Sequence, residues 1–471
     1  MKMRVAGASV AAVDEHPPMT NGEQQVSASI VDEWTWSPSS PPLPASVDVV
    51  IVGGGIVGCA TAYFLARAGV AVLLCEKGRI AGEQSGRNWG WVRQQGRSPI
   101  ELPLMINSLR IWQSFRHELQ EDLGFAQGGS LYLAASARQL ESFGAWLAVA
   151  RAHGLDTRLL SAHELGSILR STPHRWAGAL HTASDARAEP HRATPAIARG
   201  AARAGARVVS GCAVRGLSRT NGCVDAVVTE HGAVRTSAVV CAGGAWTSLF
   251  CRSIDVPVPQ LLVKGTVVRT APAPDILPGE AWSDEVAIRR RQDGGYTVAR
   301  GSALEHALVP ATFRFMTKFL PAFRQEHGAI RVRLGRDFCR ALLTPRRWDL
   351  ARASPFERER MLHPAPDAAD VAAIREALAR AFPEIATAPI AETWAGMIES
   401  SPDVLPIISA VDGVGGFFVA SGFSGHGFGI GPGAGSLVAA MVTNQASAAE
   451  LAPFRLGRFF DGSAIRPGPT I

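Results

Sequence analysis

The stretch V47-D-V-V-I-V-G-G-G-I-V-G-C-A-T-A-Y-F-L-A-R-A-G-V-A-V-L-L-C-E-K-G78 decides how the rest of the chain is read. Val49 to Val52 is a short β-branched apolar run of the kind buried in a parallel sheet. Gly53, Gly55 and Gly58 then form GxGxxG, a helical pattern runs from Ile56 to Arg67, and a second apolar run, Val70 to Leu74, leads to Glu76. Gly53 permits the tight turn, Gly55 allows close approach to a pyrophosphate, and Gly58 lets the helix close on the strand. The helix N-terminus faces phosphate with its free amides, and Glu76, eighteen residues past Gly58, accepts hydrogen bonds from ribose hydroxyls. Strand, glycines, helix, strand and acid in register predict a dinucleotide site. These residues alone leave NAD and FAD both open.

The loop that follows, G78-R-I-A-G-E-Q-S-G-R-N-W-G-W91, resembles the cofactor loop of the D-amino-acid oxidase and glycine oxidase superfamily of FAD enzymes. Three more segments resemble that family in its own order: Gly205 to Leu217, with Val214 at the adenine-holding valine, Val239 to Phe250, and Phe417 to Val442. The resemblance covers roughly residues 47 to 445 and implies a discontinuous Rossmann-like α/β FAD domain of the glutathione-reductase type. It also implies a substrate domain with an antiparallel sheet and flanking helices. The cofactor is then FAD, with Lys77, Ser85, Gly86, Arg87, Asn88, Trp89 and Gly90 along its pyrophosphate and flavin edge. Ala242, Gly243 and Trp246 pass close to it, and the backbone of Gly425, His426, Gly427, Phe428 and Gly429 faces the pyrimidine edge. Pro432 and the small residues before Leu437 suggest a helix start there, whose positive end stabilises a reduced flavin. His426 is the candidate acid or base.

The resemblance also exposes a departure. In E392-T-W-A-G-M-I-E-S-S-P-D-V-L-P-I-I408, Trp394, Gly396, Asp403 and Pro406 keep the family pattern. Glycine-oxidase-like relatives place a carboxylate-binding arginine where this chain has Ile398, and Glu399 beside it repels a carboxylate. Either Arg93, Arg289 or Arg300 takes the role, with Trp91 nearby, or the substrate is a bulkier or N-substituted amine with Glu399 as partner. The implied chemistry is oxidation of the C–N bond of an amino acid or amine by hydride transfer to the flavin, then imine hydrolysis. The acceptor that reoxidises the flavin, O2 or another, is open. Other readings are a dehydrogenase of a hydroxy acid or polyol, a flavin-binding subunit of a hetero-oligomeric oxidase, and a domain acting on a tRNA nucleoside.

Composition sets the remaining bounds. In 471 residues, 47 Lys plus Arg against 41 Asp plus Glu give a net charge of +6, without a basic-aromatic stripe, so no nucleic-acid partner is expected. Seven cysteines without paired or metal-like spacing indicate no metal and a reducing, cytoplasmic setting. Gly413 to Val442 is broken by glycines and Pro432, which predicts strand, turn and helix rather than a membrane span. Residues 1–47, rich in Pro and Ser, read as an irregular leader, of which 1–40 are expected to be dispensable. The FAD domain is assigned to 47–95, 185–250 and 390–445, the substrate domain to 96–184 and 251–389, and 446–471 to a C-terminal tail.

Overall fold

The structure is a computed structural model that describes residues 32–171, 176–326, 328 and 330–468. Its first layer is a six-stranded sheet in the order Ile407–Ala410, Phe417–Ser421, Ala238–Cys241, Val49–Val52, Val72–Cys75, Arg207–Val209. Five of these strands are parallel and Ile407–Ala410 runs antiparallel at one edge. Both faces are covered, which is why Val49–Val52 and Val72–Cys75 are apolar without alternation. Helices Ile56–Arg67, Pro190–Arg203 and Gly427–Val442 supply the core on one face. The antiparallel strands Val214–Thr220, Cys223–Thr229 and Gly232–Arg235, with helix Thr247–Ser253, supply it on the other.

The second layer is a nine-stranded sheet whose main path runs Ile390–Ser400, Leu261–Thr270, Tyr296–Ala307, Ala287–Arg290, Glu280–Trp282, Ser130–Ala134, Gly178–Thr182, Thr157–Ser161. Ile330–Arg333 adds to Tyr296–Ala307. Strand alternation divides its faces. Val268, Ile288, Val298 and Leu131 pack on Ile374 and Leu378 of helix Ala368–Ala381, as the Val371, Ile374, Leu378 periodicity predicts. The other face carries Trp394, Ile398, Thr297, Arg289, Glu280 and Tyr132 in register and roofs the first layer. The turn at Asp293-Gly294 joins Ala287–Arg290 to Tyr296–Ala307, with Gly294 at φ +86.

The structure redraws several boundaries. Residues 390–400, assigned to the FAD domain, form the end strand of the roofing sheet. Helix Leu102–Glu118, assigned to the substrate domain, buries Leu109, Trp112 and Phe115 in the FAD-domain core beside Gly427–Val442. Its Ser108 Oγ and Trp112 Nε1 both donate to the Gly429 carbonyl, at 2.7 and 2.9 Å. The tail docks as well: Leu456 and Phe459 are core residues, and the Arg458 guanidinium donates to both Asp403 carboxylate oxygens at 2.7 and 3.0 Å. Nor is the leader wholly irregular. Trp34 packs on the core, Trp36 stacks on His231 at 3.8 Å, and Asp32 accepts from the Ile80 amide at 2.8 Å. Positions 1–31 lie outside the described residues. Among the described residues no helix is long and apolar enough to cross a membrane, and Gly413 to Val442 resolves into strand, turn and helix.

Candidate functional site

A channel of about 1240 Å3 of non-atom space, open solvent included, runs along the carboxyl edge of the parallel strands. Its start is the glycine turn. Gly53 holds φ +114, and a Cβ there would meet the Ala242 carbonyl at 2.4 Å; one on Gly58 would meet the Gly53 carbonyl at 2.0 Å. A Cβ on Gly55 would meet only the Ser85 hydroxyl, at 3.1 Å, so the backbone at Gly55 faces the open channel. Gly55 precedes helix Ile56–Arg67 without any side-chain cap, and the Ile56 amide donates to Ser85 Oγ at 2.9 Å. Amides at a helix start with a hydroxyl beside them and no carboxylate in the first turn make a cradle for phosphate.

Glu76 sits at the channel wall, where its carboxylate oxygens accept from the Gly54 and Gly78 amides, each at 2.7 Å. Each oxygen keeps a further lone pair, the capacity a ribose diol needs. Burial raises the Glu76 carboxyl above the usual range, with the Lys77 ammonium and the two amides opposing that rise. Val214, Ala242, Gly243 and Trp246 line the same channel, as do Asn88, Gly425, Gly427 and Phe428. The residues present therefore suit a dinucleotide with its pyrophosphate at Gly55 and its diol at Glu76.

Other expected contacts are arranged differently. The Lys77 ammonium lies 3.8 Å over the Trp246 ring and donates to the Arg360 carbonyl at 2.6 Å, so it latches the 359–361 segment onto the channel. Arg87 does the same job, donating to the Leu362 carbonyl at 2.5 Å and approaching His363 Nδ1 at 3.0 Å, rather than facing phosphate. Gly86 and Gly90 are glycines for packing: a Cβ would meet the Ala81 carbonyl at 2.3 Å and the Ala188 carbonyl at 2.4 Å. Trp89 and Trp91 turn into an aromatic cluster with Tyr132 and Trp146 instead of the channel. The helix over this segment begins at Gly427, five residues before Pro432, which it accommodates within its first turns. At Gly429 a Cβ would touch the Trp91 carbonyl at 3.0 Å, so that position closes the helix on the strand Trp91–Val92.

The three candidate arginines part ways. Arg289 is fully buried and spends its fork on Glu189, at 3.0 and 3.1 Å. Arg300 points away from the roofing face, because Ala299 beside it pairs with Ala287 and Val267 on that face. Arg93 lies between the rings of Trp91 and Tyr132, 5.3 and 5.4 Å from their centroids, with one nitrogen donating to the Gln95 carbonyl at 2.7 Å. Burial, then the neighbouring Arg97, lowers the Arg93 guanidinium to about 9. Trp394 pins the cofactor loop by donating to the Arg87 carbonyl at 2.8 Å. Ile398 stands beside Gly425, its Cγ2 3.7 Å from a Cβ built there, and Glu399 lines the channel with its carboxyl pushed up to about 7 by burial.

A model of the FAD dependent oxidoreductase family matches residues 48–441. The chain belongs to that family. Its cofactor is FAD, and the Glu76 carboxylate and the open backbone at Gly55 are residues of this chain that fit it. An L-amino acid deaminase structure from Proteus myxofaciens superposes with a TM-score of 0.86 at 30% identity, covering 90% of this chain and 96% of that one. Sarcosine oxidase subunit beta from an Arthrobacter species is 25% identical over 92% of this chain and 95% of its own length. Mitochondrial sarcosine dehydrogenase of Mus musculus is 30% identical over 53% of this chain, but the match spans only 27% of that protein. The match to mouse dimethylglycine dehydrogenase likewise spans 42% of that protein, so the chain covers under half of the first curated relatives.

Sequence reading missed several residues that shape the site. Glu83 accepts from Trp246 Nε1 at 2.8 Å, and Phe356 and Met361 close the channel from a segment assigned to the substrate domain. Glu101 lies 3.3 Å from His426 Nδ1 although more than 300 positions separate them in the chain, and Arg97 also acts on the charge of that ring. Among the described residues no group of three His, Cys, Asp or Glu could hold a metal.

Proposed function

We propose that this protein oxidises the C–N bond of a bulky amino acid or an N-substituted amine, delivering hydride to FAD and releasing an imine that hydrolyses in water. The observation that carries this reading is Glu399, a buried carboxyl on the channel wall next to Ile398, where glycine-oxidase-like relatives place an arginine. FAD bound in the channel supplies the two-electron acceptor. The chain supplies position and proton control.

With its carboxyl held near 7 by burial, Glu399 takes a proton from an arriving ammonium at neutral pH, leaving the amine lone pair free to assist loss of the α-hydrogen. Ile398, with Gly265 and Gly425 around it, offers apolar contact and excludes water. Arg289 is held by Glu189, and Arg300 faces the other side of its strand. Arg93, in its Trp91–Tyr132 sandwich, is therefore the candidate partner for a substrate carboxylate. Similarity to an L-amino acid deaminase and a sarcosine oxidase subunit supports an amine substrate over an alcohol.

The test is anaerobic bleaching of the flavin absorbance by a panel of amino acids, secondary amines, hydroxy acids, polyols and RNA. Bleaching by bulky or N-substituted amines is expected. Bleaching by hydroxy acids or polyols alone would overturn the reading.

A further inference from the structure

Helix Gly427–Val442 starts at His426, whose backbone sits between two residues that line the FAD channel, Gly425 and Gly427. Its side chain is 19% exposed, yet Nδ1 is fully buried, 3.3 Å from Glu101 Oε2 and off the line of a hydrogen bond. Nε2 has no hydrogen-bond partner among the described residues and is not one of the fully buried atoms, so it keeps solvent access while Nδ1 does not. Glu101, at the start of helix Leu102–Glu118, is 1% exposed, and neither carboxylate oxygen finds a hydrogen bond among the described residues. Arg97, 4% exposed, also has an orphaned NH1. Buried charge is costly unless paired, and orphaned buried polar atoms are rare in structures. Glu101 beside His426 Nδ1, with Arg97 close enough to act on both charges, calls for a role.

We propose that Glu101 is a positioning residue, whose carboxylate holds the His426 ring with Nδ1–H directed inward so that Nε2 offers its lone pair to an N–H of the substrate amine. This rests on the amine reading above. A carboxylate behind one imidazole nitrogen sets the tautomer and leaves the other nitrogen as acceptor. The ring must also be neutral to accept. Burial lowers the His426 pKa, Arg97 lowers it further, Arg93 adds in the same sense, and Glu101 opposes them. The positive end of the helix that begins at His426 acts in the direction of the arginines. Glu101 thus orients the ring, and Arg93 and Arg97 keep it uncharged.

The test uses the FAD-loaded protein with 15N-labelled histidine, the His426 signal being assigned by its loss in His426→Asn. The wild type should show a neutral ring protonated at Nδ1, with a pKa below that of free histidine. Removing Glu101 (Glu101→Ala) should lower that pKa and mix the tautomers, whereas Arg97→Met should raise it. The acidic limb of kcat/KM for the best amine should move in the same two directions. Glu101→Ala should reduce kcat/KM about 10- to 100-fold, at or below the bottom of the roughly 100- to 10000-fold range for losing a positioned proton acceptor, because the imidazole itself remains, with FAD content unchanged. Glu101→Gln keeps the shape and an accepting oxygen, so it should retain the tautomer and part of the activity; it serves if the alanine variant does not fold. A ring protonated at Nε2 in the wild type, or pKa values that move together in the two variants, would overturn the proposal. Failure of every amine to bleach the flavin would instead sink the amine reading, with the resonance data still reporting on the dyad.

Discussion

Replacing Ile398 with arginine should convert the specificity of the site. Ile398 pairs with Val263 across the roofing sheet, and its branches approach the Cα positions of Gly265 and Gly425. Those neighbours carry no side chains that could pair with a new guanidinium. Ile398 is half-buried, and a substrate that covers it fully loses about 1.5–3 kcal/mol of apolar contact when it is replaced. A charge-assisted fork contributes about 1.5–3 kcal/mol to a small substrate carboxylate. The two effects oppose each other across the substrate pair and sum to about 3–6 kcal/mol, or roughly two to four decades at 1.4 kcal/mol per decade. The assay is the ratio of kcat/KM for glycine or sarcosine to that for a bulky amine, in wild type and Ile398→Arg, with flavin content and Tm as controls. A ratio that stays within a few-fold, in a folded and loaded variant, would show that position 398 does not face the substrate. Efficient turnover of glycine by the wild type would show that Arg93 or another arginine already binds the carboxylate.

Glu76→Ala should weaken FAD binding by about 1–3 kcal/mol, and unchanged retention of FAD through dialysis would remove Glu76 from the ribose. Deleting residues 1–40, expected from composition to be silent, should instead lower the Tm, because it removes Asp32, Trp34 and Trp36; an unchanged Tm would show that these contacts contribute little. Glu399→Gln in the apoprotein should be stabilising at pH 8 relative to pH 5. A carboxyl raised from 4.5 to about 7 in the folded state loses stability as pH rises through that window, by about 3 kcal/mol, and glutamine does not. Parallel stability-versus-pH curves for variant and wild type would mean that Glu399 ionises normally.

What the chain's order of residues determined by itself is local. Val49–Val52, the three glycines, helix Ile56–Arg67 and Glu76 lie within thirty residues, so period, turn chemistry and acid placement are all legible in one window. The same is true of helix Ala368–Ala381, whose apolar spacing faces one sheet. Position 398 could likewise be singled out, because a motif surrounds it. The residues that only the tertiary structure decided are those whose partners lie far along the chain. Whether Arg289 could serve a substrate depended on Glu189, a hundred positions away, and burial then made that pair obligatory. Arg87 carries the donors a phosphate needs, but folding brought the 362–363 segment to it first. Strand Ile390–Ser400 follows a cofactor motif in sequence yet pairs with Leu261–Thr270, since its backbone groups had to find a partner in the roofing sheet. Glu101 has no local signature at all. It acquires a role only because helices Leu102–Glu118 and Gly427–Val442 pack side by side and set a buried carboxylate behind His426, a juxtaposition that no spacing rule encodes.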